Sequence, residues 1–517
     1  MAITWFGGGK PDHPMADIKH ARKLVSELPA NDSVKALNDV TAWLDSINSA
    51  EGVRLDRRFE LIDLLDRTAR THARKVSEEY QSTQRLQKSR ESTLWTAAFE
   101  FWKLLGDAYG RCVEQLGSDA SAAREIRKEL PVIVARALRA LTLQMKWMLL
   151  SYNQVNVRVW GEVGQLYFFA ETKEIATATV EIYPGAHGQG TVQREFLKAM
   201  MLGVSANHGL NPVQQEIAAR ALAHFGEMFT QQQRPGPGCS FCFDLSRREP
   251  PAHLPQGFEP TPTARCFGAG ATLAALNALI QEIRRHDRVP AEFNLGVNFD
   301  SDLVLSTLQH LALHWSDQPT ARRSERRRIA MRLTVVHGFQ NLLRAVESLA
   351  DDSSLDFEHA AAIESWAIED VGAGGFGVVI PPVMGDWIKG GILLGVQTEA
   401  SQAWGAGIIR RVVRDESRQR RIGIEMLTQE VIPVKLSPAG KVSHAGAARI
   451  DDSVLLLSTT PDKHGEISLL LPAGSSMRDR AFEINLHGKC YHLVPGSLIE
   501  GGDDYARATF KVTERVG

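Results

Sequence analysis

Trp404-Gly-Ala-Gly-Ile-Ile-Arg-Arg-Val-Val-Arg414 and, shortly after it, Arg421-Ile-Gly-Ile-Glu-Met426 are short apolar runs bounded by glycine and charge. Runs of this length, repeated with turn residues between them, read as the strands of an all-β sandwich or barrel. Upstream the same character is found in Leu333-Thr-Val-Val-His337, Gly377-Val-Val-Ile-Pro381 and Gly391-Ile-Leu-Leu-Gly-Val396. The stretch Gln340 to Ile363 interrupts the strands with a helix-like or loop insertion, because its Leu and Ala residues do not alternate. Downstream, Val454-Leu-Leu-Leu, Ile467-Ser-Leu-Leu-Leu, Phe482-Glu-Ile-Asn-Leu and Ala506-Arg-Ala-Thr-Phe-Lys-Val predict further strands, which extend the same barrel or build a second one.

Toward the N-terminus the period changes. Leu55, Phe59, Ile62 and Leu65 fall on one helical face, and Leu94, Trp95, Ala98, Phe99, Trp102 and Leu105 form a broader aromatic one. The expected fold is therefore α+β and multidomain. Residues 1–230 are helical, 231–321 are a Pro- and Gly-containing connector with helices, 322–435 are a β-barrel, and 436–517 are a C-terminal β extension or second small β domain. A chain of 517 residues is too long for one core, which fits several modules.

Composition narrows the function. Lys+Arg 59 against Asp+Glu 61 leaves a net charge of -2, which argues against a protein that coats nucleic acid through overall charge. No apolar run is long enough to span a bilayer, and Met1 to Lys10 lacks the order of a signal peptide, so the expected location is the cytoplasm. The five cysteines, Cys112, Cys239, Cys242, Cys266 and Cys490, are dispersed and odd in number, so they form no disulfide framework. Cys239-Ser-Phe-Cys242 supplies two of the four ligands a structural zinc needs, and the reading calls for no metal, no cofactor and no catalytic residues. No phosphate loop, HExxH or GxSxG is present.

Two elements carry chemistry. Five arginines lie within Arg322-Arg-Ser-Glu-Arg-Arg-Arg328, and guanidinium groups grip phosphate bidentately and stack on flat bases. Arg323 and Arg327 are four residues apart, as are Arg322 and Arg326. The second element is Asp370-Val-Gly372-Ala-Gly-Gly375: an acidic side chain beside a glycine-rich turn can accept the ring N–H and amino protons of a guanine. Each element also has a plain structural reading, a solvated basic linker for the first and a tight β-turn for the second.

In this order the two elements resemble the PilZ domain, the bacterial module that binds cyclic di-GMP. Arg323 to Arg327 stand where that family has RxxxR, and Asp370 to Gly375 where it has [D/N]xSxxG. The strands Trp404 to Arg414 and Arg421 to Met426 are similar to its later ones. Gly372 replaces the serine of the second motif. The resemblance implies a ligand site of Arg322, Arg323, Arg327, Arg328, Asp370, Gly372 and Gly375 for cyclic di-GMP, in a non-enzymatic bacterial signalling protein. Its helical region would engage an unidentified protein partner. A scaffold with a degenerate barrel that binds no nucleotide is the first alternative. Nucleic-acid binding through the basic run is the second, with the near-neutral charge and the lack of interleaved aromatics against it.

Overall fold

A computed structural model describes residues 18–82, 88–116, 124, 126–185, 188–293, 295–296, 299–317, 326–350, 363–380, 387–415, 419–439, 452–475, 481–486 and 488–514. The chain divides into two compact units at about residue 321. Among the described residues no helix is long and apolar enough to cross a membrane.

The first unit is built on helices α1 (Ile18–Ser26), α2 (Ser33–Ser49), α3 (Leu55–Ser82), α4 (Lys88–Gln115), α5 (Leu130–Leu150) and α6 (Val157–Thr172). Three of the starts have a local cause. Asp32 accepts the Lys35 N–H to cap α2, Asn156 accepts that of Arg158 to cap α6, and Pro131 opens α5, where its missing N–H costs nothing. Helix α5 is apolar on most sides, with Ile133, Val134, Leu138, Leu141, Met145 and Trp147 all buried, so it forms the axis against which α4 packs. On α3, Leu55, Ile62 and Leu65 are fully buried. On α4 the fully buried residues include Leu94, Ala98, Phe101 and Leu105, while Trp95 stacks on Phe99 at 4.8 Å and donates its indole N–H to the Trp147 carbonyl.

A two-stranded hairpin, β1 (Val180–Glu181) and β2 (Gln189–Gly190), leads to α7 (Val192–Val204) and α8 (Pro212–Phe225). The stretch expected as a connector contains a four-stranded sheet of β3 (Thr230–Gln232), β4 (Phe241–Asp244), β5 (Ala252–His253) and β6 (Ala264–Gly268), in the order β3-β6-β4-β5. Strand β6 is buried along its whole length, so this segment is part of the first unit's core. Cys242 stands opposite Cys266 in the β4–β6 register, and all five cysteines are free thiols. Helices α9 (Thr272–His286) and α10 (Ser301–His314) complete the unit.

The second unit holds two closed, six-stranded antiparallel barrels. Its strands are β7 (Arg327–Arg328), β8 (Arg332–His337), β9 (Glu364–Gly372), β10 (Gly375–Ile380), β11 (Leu393–Thr398), β12 (Gly405–Arg414) and β13 (Arg420–Thr428). The order β10-β13-β12-β11-β8-β9 closes through β9–β10, and β7 pairs with β9 along the same edge as β8, ahead of it in the chain. Closure removes the exposed edges that an open sheet of this size would present. The second barrel, β14 (Ile432–Pro438), β15 (Asp452–Leu456), β16 (Glu466–Pro472), β17 (Phe482–Leu486), β18 (Lys489–Gly501) and β19 (Tyr505–Glu514), is filled by Leu436, Val454, Leu469, Phe482, Leu493 and Phe510.

The inserted segment between β8 and β9 begins as helix α11 (Phe339–Ala350), and residues 351–362 lie outside the described residues. Phe339, Leu342 and Leu343 of α11 share one apolar core with Leu393 and Ile408 of the first barrel and with Leu455, Leu470 and Tyr505 of the second. The helix N-terminus is capped across the barrels, where Asp504 accepts the Phe339 N–H at 2.7 Å.

Candidate functional site

The site grows from one lateral row on the outside of the first barrel. Val378, Ile422 and Val412 are buried inside it, so by the two-residue period of a strand their neighbours Gly377, Gly423 and Arg411 face outward. Register sets them side by side with Asp370 and Arg328: Arg328 pairs with Asp370, Asp370 with Gly377, Gly377 with Gly423, and Gly423 with Arg411. Two adjacent glycines therefore make a shelf of bare backbone between a carboxylate and an exposed arginine.

Two β-bulges aim the flanking side chains. On β9, Glu369 is the extra residue between Ile368 and Asp370, and it receives Arg421 at 3.7 Å. On β12 the extra residue is Arg410, whose guanidinium grips Glu425 at 2.6 Å and Glu500 of the second barrel at 2.8 Å. Burial opposes its charge, but the two carboxylates more than offset that and raise its pKa above the ordinary arginine value.

Of the arginine run, Arg322 and Arg323 lie outside the described residues. Arg327 and Arg328 form β7, exposed and opposite Val371 and Asp370. The arginine that touches the acid is Arg326, its Nη1 donating to Asp370 Oδ1 at 2.6 Å over Gly377. A Cβ at position 377 would stand 2.5 Å from Asp370 Oδ1 and 3.1 Å from that Nη1. The pair is half in solvent, at 46% and 27% side-chain exposure, which makes it worth at most about 1 kcal/mol and therefore exchangeable for a ligand.

Gly372 and Gly375 close the β9–β10 hairpin around Ala373 and Gly374. Gly375 has φ +154°, and a Cβ there would lie 1.9 Å from the Ile424 carbonyl oxygen, so it allows β10 to pass close to β13. Gly375→Ala is expected to lower stability by about 1–3 kcal/mol in urea denaturation followed by circular dichroism. The Gly372 backbone is not in the left-handed region, so a serine there carries no left-handed backbone strain. Among the described residues no group of acids, histidines and cysteines is placed to hold a metal.

Three features of this site are absent from the motif reading. They are Arg326 as the partner of Asp370, the Gly377–Gly423 shelf, and Arg411 at its far end. The available signal is glycine inside apolar strand text, in Gly377-Val-Val-Ile and Ile-Gly423-Ile, which marks a strand whose surface something else approaches.

Residues 19–235 match the family model for the N-terminal domain of the cyclic-di-GMP receptor FimW, and residues 345–433 match that for its middle PilZ domain. Both parts occur in this order and together span more than half of the chain. The chain belongs to the FimW family of PilZ-domain proteins. The FimW middle-domain match covers β9 to β13, the strands that carry Asp370, Gly372, Gly375, both shelf glycines and Arg411. The FimW N-terminal match begins in α1 and runs into the small β3–β6 sheet. No curated protein matches the chain.

Proposed function

We propose that this chain is itself a cyclic-di-GMP receptor that holds the dinucleotide against the outer face of its first barrel and reports it through the helical unit. The observation that carries this reading is the Arg326–Asp370 pair lying over Gly377, beside the bare Gly423 and the exposed Arg411. A guanine presents donors that a carboxylate accepts, the glycine shelf admits a flat ring, and the arginines at 322, 323, 326, 327, 328 and 411 supply forks for phosphate. The ligand would exchange the Arg326–Asp370 contact for its own, freeing the arginine run to close over it. It shifts the receptor's population only by binding the closed arrangement more tightly. Residues from Arg322 to the end of β13 are the sensing part in this reading.

Calorimetry on the full chain tests it. Cyclic di-GMP is expected to bind, and Arg326→Ala and Asp370→Ala each to weaken binding about 10- to 100-fold, the worth of one charge-assisted hydrogen bond. Absence of heat at high micromolar protein and ligand would sink the proposal.

Gly372 favours a second reading, a scaffold whose barrel binds no nucleotide, because it removes the hydroxyl of the PilZ motif. Gly372→Ser separates the two. If serine creates binding that the natural chain lacks, the scaffold reading holds; if both bind, the receptor reading does.

A further inference from the structure

The first unit contains a cavity of about 260 Å³ whose chemistry is unrelated to the barrel site. Arg70 of α3, Arg139 of α5, Gln189 of β2 and Lys198 of α7 line it around Tyr183. The Tyr183 ring is buried and held still from below, since its hydroxyl donates to both oxygens of Asp66 at 3.1 and 2.9 Å. The rim is shaped by backbone, for a Cβ on Gly188 would lie 1.7 Å from the Tyr183 carbonyl oxygen.

Three guanidiniums crowd this one ring, Arg70 at 3.9 Å from its centroid, Arg136 at 4.5 Å and Arg139 at 5.2 Å. Arg136 is matched by carboxylates, with Asp63 at 2.5 Å and Asp66 at 3.8 Å. Lys198 is matched by Glu195 at 2.7 Å. Arg70 and Arg139 have only the ring, with no hydrogen bond or ion pair among the described residues. Burial works against the charge of Arg70 and the neighbouring Arg139 and Arg136 add to the effect, while Tyr183 and the Asp66 carboxylate beneath it offset only part of this, so that its pKa stays below the ordinary arginine value. Two cations with no carboxylate in direct contact, in one concave, polar pocket, repel each other, a cost that an anion between them would remove.

We infer that this pocket binds the phosphate group of a small phosphomonoester, clamped between the Arg70 and Arg139 guanidiniums with Lys198 and Gln189 at its edge. A phosphomonoester dianion carries the two charges that the clamp lacks, and the volume leaves room beyond the phosphate for a short organic group.

The test is calorimetry of the full chain with inorganic phosphate and with phosphoserine, at constant ionic strength, paired with thermal melts. Both probes are expected to bind with one-to-one stoichiometry. Arg70→Gln and Arg139→Gln should each weaken binding at least about tenfold, as loss of a bidentate contact does. Tighter binding of phosphoserine identifies an ester ligand, whereas equal affinity identifies free phosphate. In phosphate-free buffer both variants should melt no lower than the natural chain, because each relieves repulsion, and phosphate should reverse that order. Arg326→Ala should leave phosphate binding unchanged, which keeps this outcome separate from that of the barrel. Failure of both probes to bind, binding retained in both Gln variants, or lower melting of both variants without phosphate would overturn the inference.

Discussion

Arg136→Ala is expected to destabilise the helical unit by about 3–5 kcal/mol in urea unfolding at neutral pH, the cost of stranding a buried charge. Arg136 is 1% exposed, and its Nε donates to the Ile182 carbonyl at 2.8 Å while its Nη1 donates to Asp63 at 2.5 Å and to the Tyr109 hydroxyl at 3.0 Å. Beneath it Asp66 is completely buried and accepts hydrogen bonds from the hydroxyls of Tyr109 at 2.7 Å and Tyr183. Burial raises the Asp66 pKa, while Arg136 first and then the two phenols pull it down. Removing Arg136 takes away the charge that most favours the Asp66 carboxylate, so Asp66 becomes still harder to ionise. The sign follows from linkage: a carboxyl with a folded pKa above its unfolded value favours the fold when protonated and loses that contribution as pH rises through the folded pKa. The deficit of Arg136→Ala should therefore be largest at neutral pH and shrink as pH falls toward the ordinary carboxyl range, and Asp66→Asn should recover part of it. A deficit independent of pH would show that the loss is one of packing alone.

Gly423→Glu is expected to abolish cyclic-di-GMP binding, by at least about 100-fold, while the melting temperature stays that of the natural chain. Its Cβ would meet only the Arg411 Cβ, at 3.3 Å, so the strand accommodates it, and a non-glycine residue suits a strand better. The carboxylate would stand on the shelf against an anionic ligand, a like-charge clash that costs several kcal/mol. Gly423→Ala, which adds bulk without charge, should fall between the two. Wild-type affinity in Gly423→Glu, measured by calorimetry, would move the ligand away from this face.

The strands were legible because short apolar runs are broken by glycine and proline, while their sorting into two barrels was not. Leu333 to His337 lie in β8, and of Gly391 to Val396 the residues from Leu393 on lie in β11. The bulges at Glu369 and Arg410 were not legible, since one extra residue in a strand leaves no mark in composition, yet it decides which side chain faces out. Two arginine registers share one spacing, and only the pairing of β7 with β9 brings Arg326 to Asp370. The stretch from Gln231 to Thr263 reads as a connector because its strands are two to four residues long, too short to show a period. The Tyr183 pocket was hidden by distance, for its hydroxyl and Asp66 lie 117 residues apart in sequence.

The shared core under α11 has a consequence for anyone who would transplant the first barrel. A fragment cut at residue 435 would end within β14, strip Leu455, Leu470 and Tyr505 from the apolar face of Phe339 and Leu342, and leave Arg410 without Glu500. Such a cassette carries an open wound the width of a helix. The two barrels share one core through α11, and a fusion that borrows the first barrel must borrow the strands through β19 with it.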